Sequence, residues 1–135
     1  MLPSGPASAW NGLGRLTHCI IFEPDLSCRQ TLESALASLY WTVAIAETLS
    51  DVAARLPGPW AVLLAIESGD TLAIDGVRDI RGAAPDAVIC VLVDELSPDF
   101  DRQVADAGAD TVFAKPVQET EIVEALVAGF MARRR

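Results

Sequence analysis

The chain has 135 residues, 51% of them hydrophobic and 21% charged, with a net charge of −9 and a pI of about 4.4. That length and balance describe one globular domain able to bury roughly two-thirds of the surface its unfolded form exposes, and they exclude a disordered polymer. An acidic surface repels phosphate backbones and anionic lipid, and no run reaches the ~20 apolar residues of a membrane helix, so nucleic acid and membrane are excluded as direct ligands.

The first residues lack the basic start and long apolar run of a secretory signal. Cys19, Cys28 and Cys90 form an odd set without CxxC spacing, which argues against a disulfide scaffold or zinc site and for a reduced, cytoplasmic protein. His18 has no second histidine with which to share a metal. Arg133, Arg134 and Arg135 suit the last turn of a helix, where cations complement the macrodipole.

In chain order, residues 1–16 hold Pro3, Gly5, Pro6, Gly12 and Gly14 among small residues and read as a flexible arm, with Trp10 and Leu13 available to pack back on a domain spanning residues 17–133. Residues 17–22 are a short apolar run closed by Glu23, Pro24 and Asp25, as in a buried strand ending in an acidic loop. Over residues 27–40 the apolar positions Cys28, Leu32, Ala35, Leu36 and Leu39 recur at the helical period. Residues 41–46 read as a second strand, and Ser50 as the cap of a short helix through Leu56 that Pro57, Gly58 and Pro59 terminate. Residues 60–66 are the most continuous apolar run, expected of a strand covered on both faces. A helix over residues 72–81 should stop before Gly82 and Pro85, and a fourth strand covers residues 87–93. Ser97 and Pro98 read as a cap and first helical position, with Gly108 ending that helix after Ala107. The last helix, residues 118–132, carries Ile122, Val123, Leu126, Val127 and Phe130.

Between these last two helices lies the stretch that the reading turns on, Asp110-Thr111-Val112-Phe113-Ala114-Lys115-Pro116-Val117. It sets the sequence's one lysine at the end of a short apolar run. A compact ammonium on a flexible stem is suited to neutralise an anion or carboxylate in a crevice. Five strands alternating with five helices over short connections make an α/β domain with a parallel sheet, whose ligands bind outside the carboxyl ends of the strands. Those ends carry Glu23 to Asp25, Glu67 to Asp70, Asp94 with Glu95, and Lys115.

With these residues in place, the chain resembles a CheY-like receiver domain, the phosphoacceptor module of bacterial response regulators. The resemblance rests on Ala107-Gly108-Ala109-Asp110 followed by Val112 to Pro116, on the acidic end of the first strand with Arg29 after it, and on Asp75-Gly76. It implies a five-stranded parallel sheet in the order 2-1-3-4-5 with five helices on both faces, flavodoxin/CheY-like, and a cis Lys115-Pro116 bond. It also implies a site in which two acidic residues hold magnesium, a strand-three aspartate takes a phosphoryl group, and a hydroxyl residue and lysine contact that group.

Position by position, this sequence departs from that site. Glu23 fills the first acidic position, but Pro24 stands at the second and Asp25 comes one residue late. The phosphoacceptor position falls on Ala65 in one register and Glu67 in another; Leu92 stands for the hydroxyl residue and Val112 for the aromatic switch. Lys115 remains, and an ion pair with Glu23, or with Glu67, is expected to replace metal and phosphate by fixed charges.

The expected function is therefore that of a degenerate receiver, or pseudoreceiver: a stand-alone regulator or adaptor in signal transduction that is not an enzyme, takes no cofactor and acts by binding another chain. Its partners would be a histidine kinase, a response regulator or an output protein. The family's partner and dimer face, formed by the fourth helix, fifth strand and fifth helix, would place Phe100, Arg102, Val104, Val112 and Pro116 there, with a homodimer as one arrangement. The alternative is an atypical receiver phosphorylated on Glu67 or Asp70, with Mg2+ held by Glu23 and Asp25. A third reading, an enzyme or small-ligand binder on a flavodoxin-like sheet, lacks a glycine-rich phosphate loop and any nucleophile with a partner histidine.

Overall fold

The computed structural model describes residues 18–37, 41–56 and 61–133. The proposed arm over residues 1–16, the side chains of Phe130 and Arg133, and Arg134 and Arg135 lie outside the described residues. Five strands alternate with five helices: β1 (His18–Phe22), α1 (Leu26–Ala37), β2 (Thr42–Ile45), α2 (Leu49–Arg55), β3 (Ala61–Ile66), α3 (Thr71–Ala83), β4 (Val88–Val93), α4 (Pro98–Ala107), β5 (Thr111–Ala114) and α5 (Glu119–Arg133). All strand pairs are parallel and the sheet order is β2-β1-β3-β4-β5, as the resemblance implies.

Every residue of β3 and β4 is buried, which explains why their sequences are unbroken apolar runs. Alternate side chains feed two separate cores. Ile20, Val62, Leu64 and Val91 pack with Val52 of α2, Val77 and Ile80 of α3, and Phe100 and Val104 of α4. Cys19, Ile21, Leu63 and Cys90 pack with Leu32 and Leu36 of α1 and Ile122 and Leu126 of α5. Helices α2, α3 and α4 therefore cover one face and α1 and α5 the other.

Three local expectations are corrected. The cap of α2 is Thr48, whose Oγ1 accepts from Asp51 N at 3.0 Å, and Ser50 lies inside the helix. Helix α3 starts at Thr71, after the capping Asp70, and continues through Gly82 to Ala83, ending where the C-cap Ala84 donates its N–H to Ile80 O. At α4, Ser97 occupies the N-cap position with Pro98 following, but its side chain makes no capping bond; instead Asp101 Oδ2 accepts from Ser97 N at 3.1 Å.

The amino-end side of the sheet is tied by Arg81. Its guanidinium donates to the carbonyls of Gly108, Ala84 and Ala87 and to Asp110 Oδ2 at 2.9 Å, while the same carboxylate oxygen accepts from Ile89 N at 2.8 Å. One charged pair thus joins α3, β4 and the entry to β5. The opposite end is left open by the topology: β1 sits between β2 and β3, so the connections leaving β1 and β3 run to opposite faces and part there.

Candidate functional site

At that carboxyl end Phe22 pairs with Leu64, which brings Glu23 out of β1 level with Ala65. The cross-strand register continues from Ala65 to Leu92 and from Leu92 to Phe113. Period-two alternation puts Glu23 on the side of Cys19 and Ile21, and Lys115 on the side of Phe113. Both charged side chains thus belong to the α1 and α5 side of the sheet end.

They meet there. Lys115 Nζ lies 2.7 Å from Glu23 Oε2. The glutamate is 2% exposed and the lysine side chain 28% exposed, so the pair has a buried anion and a cation at the mouth. Glu23 Oε1 accepts from Asp25 N at 2.9 Å. Oε2 lacks an aligned hydrogen-bond donor, so its contact with the ammonium is one of charge at close range more than of directed bonding. The backbone sets the lysine's position: Lys115 N donates to Val93 O at 2.8 Å, and the Lys115-Pro116 peptide is cis.

Cys28, in the first turn of α1, adjoins this pair. Partial burial first, and then the charge of Glu23, push its thiol above the ordinary cysteine range, while Lys115 opposes the shift. The sequence offered no signal for this beyond an apolar position on the inward face of the first helix.

The neighbouring carboxylates have other partners. Asp25 Oδ1 accepts from Cys28 N at 3.1 Å and Asp25 O from Arg29 N at 2.9 Å, so this residue caps α1. Asp70 Oδ1 accepts from Leu72 N at 3.1 Å and caps α3. Glu67 is exposed, in a turn where Asp70 N donates to Glu67 O and Gly69 takes a φ of 90°, a value that favours glycine. Asp94 Oδ1 accepts from Ser68 N at 2.7 Å and ties the loop after β3 to the loop after β4. That donated N–H holds the Asp94 carboxyl below the usual carboxylate range. Among the described residues no group of three or more histidine, cysteine, aspartate or glutamate side chains is arranged to hold a metal ion.

No protein-family model and no curated protein matches the chain in sequence. Solved structures do match. A response regulator from Thermotoga maritima superposes with a TM-score of 0.75 at 17% identity, over 84% of this chain and 97% of that one. A CheY-like receiver domain protein from Methanospirillum hungatei gives 0.76 at 18%, over 87% and 95%. The beryllofluoride-activated NtrC4 receiver domain dimer gives 0.74 at 16%, over 87% and 98%.

This chain has the receiver fold.

Within the receiver fold the residues singled out from sequence separate into two groups. Glu23 and Lys115 come together, with Ala65 and Leu92 side by side beneath them. Pro24, Asp25 and Glu67 are exposed, and Lys115 pairs with Glu23, not Glu67. The expected partner face is corrected at two positions. Phe100 is 5% and Val104 0% exposed, both in the core with Val91 and Val93, so neither is available to a partner. Val112 is half-buried against that core, whereas Arg102 and Pro116 are exposed. Arg102 pairs with Asp99 at 2.9 Å one turn before it, both side chains well exposed.

Proposed function

We propose that this protein is a pseudoreceiver, a signalling protein–protein interaction module of the two-component type that works without phosphorylation and without magnesium. The observation that carries the reading is the Lys115–Glu23 pair. A receiver's lysine serves the phosphoryl group and its first acidic residue serves the metal; here each already has the other at 2.7 Å. Magnesium needs several hard oxygens in an octahedral array. Glu23 is engaged by a cation, Pro24 brings no side-chain donor, Asp25 caps a helix and Ala65 has no oxygen to offer. Phosphoryl transfer depends on charge neutralisation and positioning acting together, and this set supplies neither in full.

In this reading fixed charges hold the carboxyl end in one state, and output passes through contacts with a histidine kinase, a response regulator or an output protein in the cytoplasm. The exposed Arg102 and Pro116 belong to the surface of α4, β5 and α5, which could also pair two copies; the receiver dimer among the structural neighbours supports that arrangement. No catalytic residue is assigned.

The deciding experiment adds beryllofluoride with Mg2+ while the amide spectrum is followed. The expected outcome is no change around residues 64–70. A saturable shift there would replace this reading with that of an atypical receiver using Glu67 or Asp70.

A further inference from the structure

Helix α5 changes character along its length. In its first half Glu119, Thr120, Glu121 and Glu124 are exposed while Ile122 enters the core, the pattern of a surface helix. From Ala125 to Ala132 the sequence holds no polar side chain. Leu126 still faces inward, and Gly129 lets the helix close on the sheet at Val88. On the outer side Val127 and Met131, one turn apart, are 52% and 60% exposed, with Val123 half-buried one turn before them and Ala128 and Ala132 exposed beside them. Residues four apart are neighbours on one helix face, so Val123, Val127 and Met131 form one continuous apolar strip. A helix stretch that is apolar all round belongs in an interior, yet among the described residues this strip stands open.

The place of the strip says what can reach it. Val88 opens β4 and is level with Ala61 of β3, which is level with Cys19 of β1. Two strand spacings, about 10 Å, therefore separate the strand under Gly129 from the point where the chain enters β1. The segment before His18 contains Trp10, Leu13 and Leu16, three residues apart, with one arginine and no carboxylate. Eight residues of extended chain span about 26 Å, so Trp10 can reach the last two turns of α5, and Leu13 can reach them as well. An indole covers on the order of 200 Å², enough for two side chains one turn apart. Arg15 adds attraction to a chain of net charge −9. A tethered segment also acts at an effective concentration on the order of millimolar, which a separate chain rarely matches.

We infer that the outer strip of α5 is the docking site of this chain's own segment before His18, with Trp10 and Leu13 laid over Val127 and Met131. Docked there, the segment withholds the end of α5 from other chains, and its release exposes an apolar surface to one of them. The inference goes beyond the proposed function and is independent of the beryllofluoride titration, which reads the opposite end of the sheet.

The test uses the full chain with isotope-labelled methionine methyl groups. The sequence holds two methionines, Met1 and Met131, so two signals are expected, and Met131→Leu identifies one of them. The Met131 methyl should lie upfield, shifted by the indole above it, show a nuclear Overhauser contact to the Trp10 ring, and return to the free-methionine position in Trp10→Ala. In Val127→Ser, a change outside the core, the Trp10 indole N–H should move to its position in a synthetic peptide of residues 1–17. A Met131 signal that Trp10→Ala does not move overturns the proposal. So does a Trp10 indole that already coincides with the peptide's in the unmodified chain. A Met131 shift that depends on protein concentration and survives Trp10→Ala would give the strip to a second copy instead.

Discussion

Lys115 Nζ and Glu23 Oε2, 2.7 Å apart, connect the ends of β5 and β1 across the two strands between them, β3 and β4. The contact passes over the strand end where Ala65 contributes only a methyl group. Replacing Lys115 with Met strips the cation from a carboxylate that is 2% exposed. Breaking a pair in this way leaves an uncompensated buried charge, and the expected loss in urea unfolding at neutral pH is about 3 kcal/mol. Replacing both partners, Glu23→Gln with Lys115→Met, removes the orphaned charge and should recover most of that loss. An unchanged midpoint for the single variant would show that the pair does not hold the fold.

Two glycines in helices should respond in opposite directions to the same substitution. Alanine is favoured over glycine in a helix by up to about 1 kcal/mol. Gly82 of α3 has open space around its would-be Cβ, so Gly82→Ala should raise stability by a few tenths to about 1 kcal/mol. At Gly129 of α5 the same Cβ would stand 2.6 Å from Val88 Cγ1 on β4, a strand with no exposed residue and little room to move. Gly129→Ala should therefore destabilise by about 1–3 kcal/mol, the usual range for overpacking. Thermal melts of the two variants check the pair, and a stabilised Gly129 variant would show that α5 can shift off the sheet.

The same contrast explains what was legible in the sequence. β3 and β4 could be read because burial on both faces forces continuous apolar runs, whereas the sequence left Lys115 with either Glu23 or Glu67 as partner, since all parallel strands end on one side and only the placement of the side chains selects Glu23. Gly82 misled by two residues, because the helix runs on to Ala83 and its end is set at Ala84, which leaves the helical conformation while its N–H still donates to Ile80 O. Phe100 and Val104 were placed on a partner face by the resemblance, yet they stand at helical spacing on the one stripe of α4 that meets the sheet. Cys28 beside Glu23 and the Ser68 to Asp94 bond went unread, since each depends on how two loops are brought together by the finished fold.

Asp94 gives a prediction for acid solution. Its carboxyl is held below the ordinary value, first by the Ser68 N–H at 2.7 Å and further by its own backbone N–H, that of Glu95 and the charge of Lys115. A carboxylate depressed in the folded state contributes stability that is fully present above its unfolded pKa, about 3.9, and is lost as pH falls through the lower folded value. The bond between the loops after β3 and β4 should therefore persist at pH 4 and loosen only below it. An NMR titration should show the Ser68 amide moving with a midpoint below that of a free aspartate. In Asp94→Asn the side-chain oxygen still accepts from Ser68 but carries no charge, so the same amide should stay unmoved over that interval. A Ser68 midpoint at or above the ordinary aspartate value would mean that this N–H does not reach the carboxylate in solution.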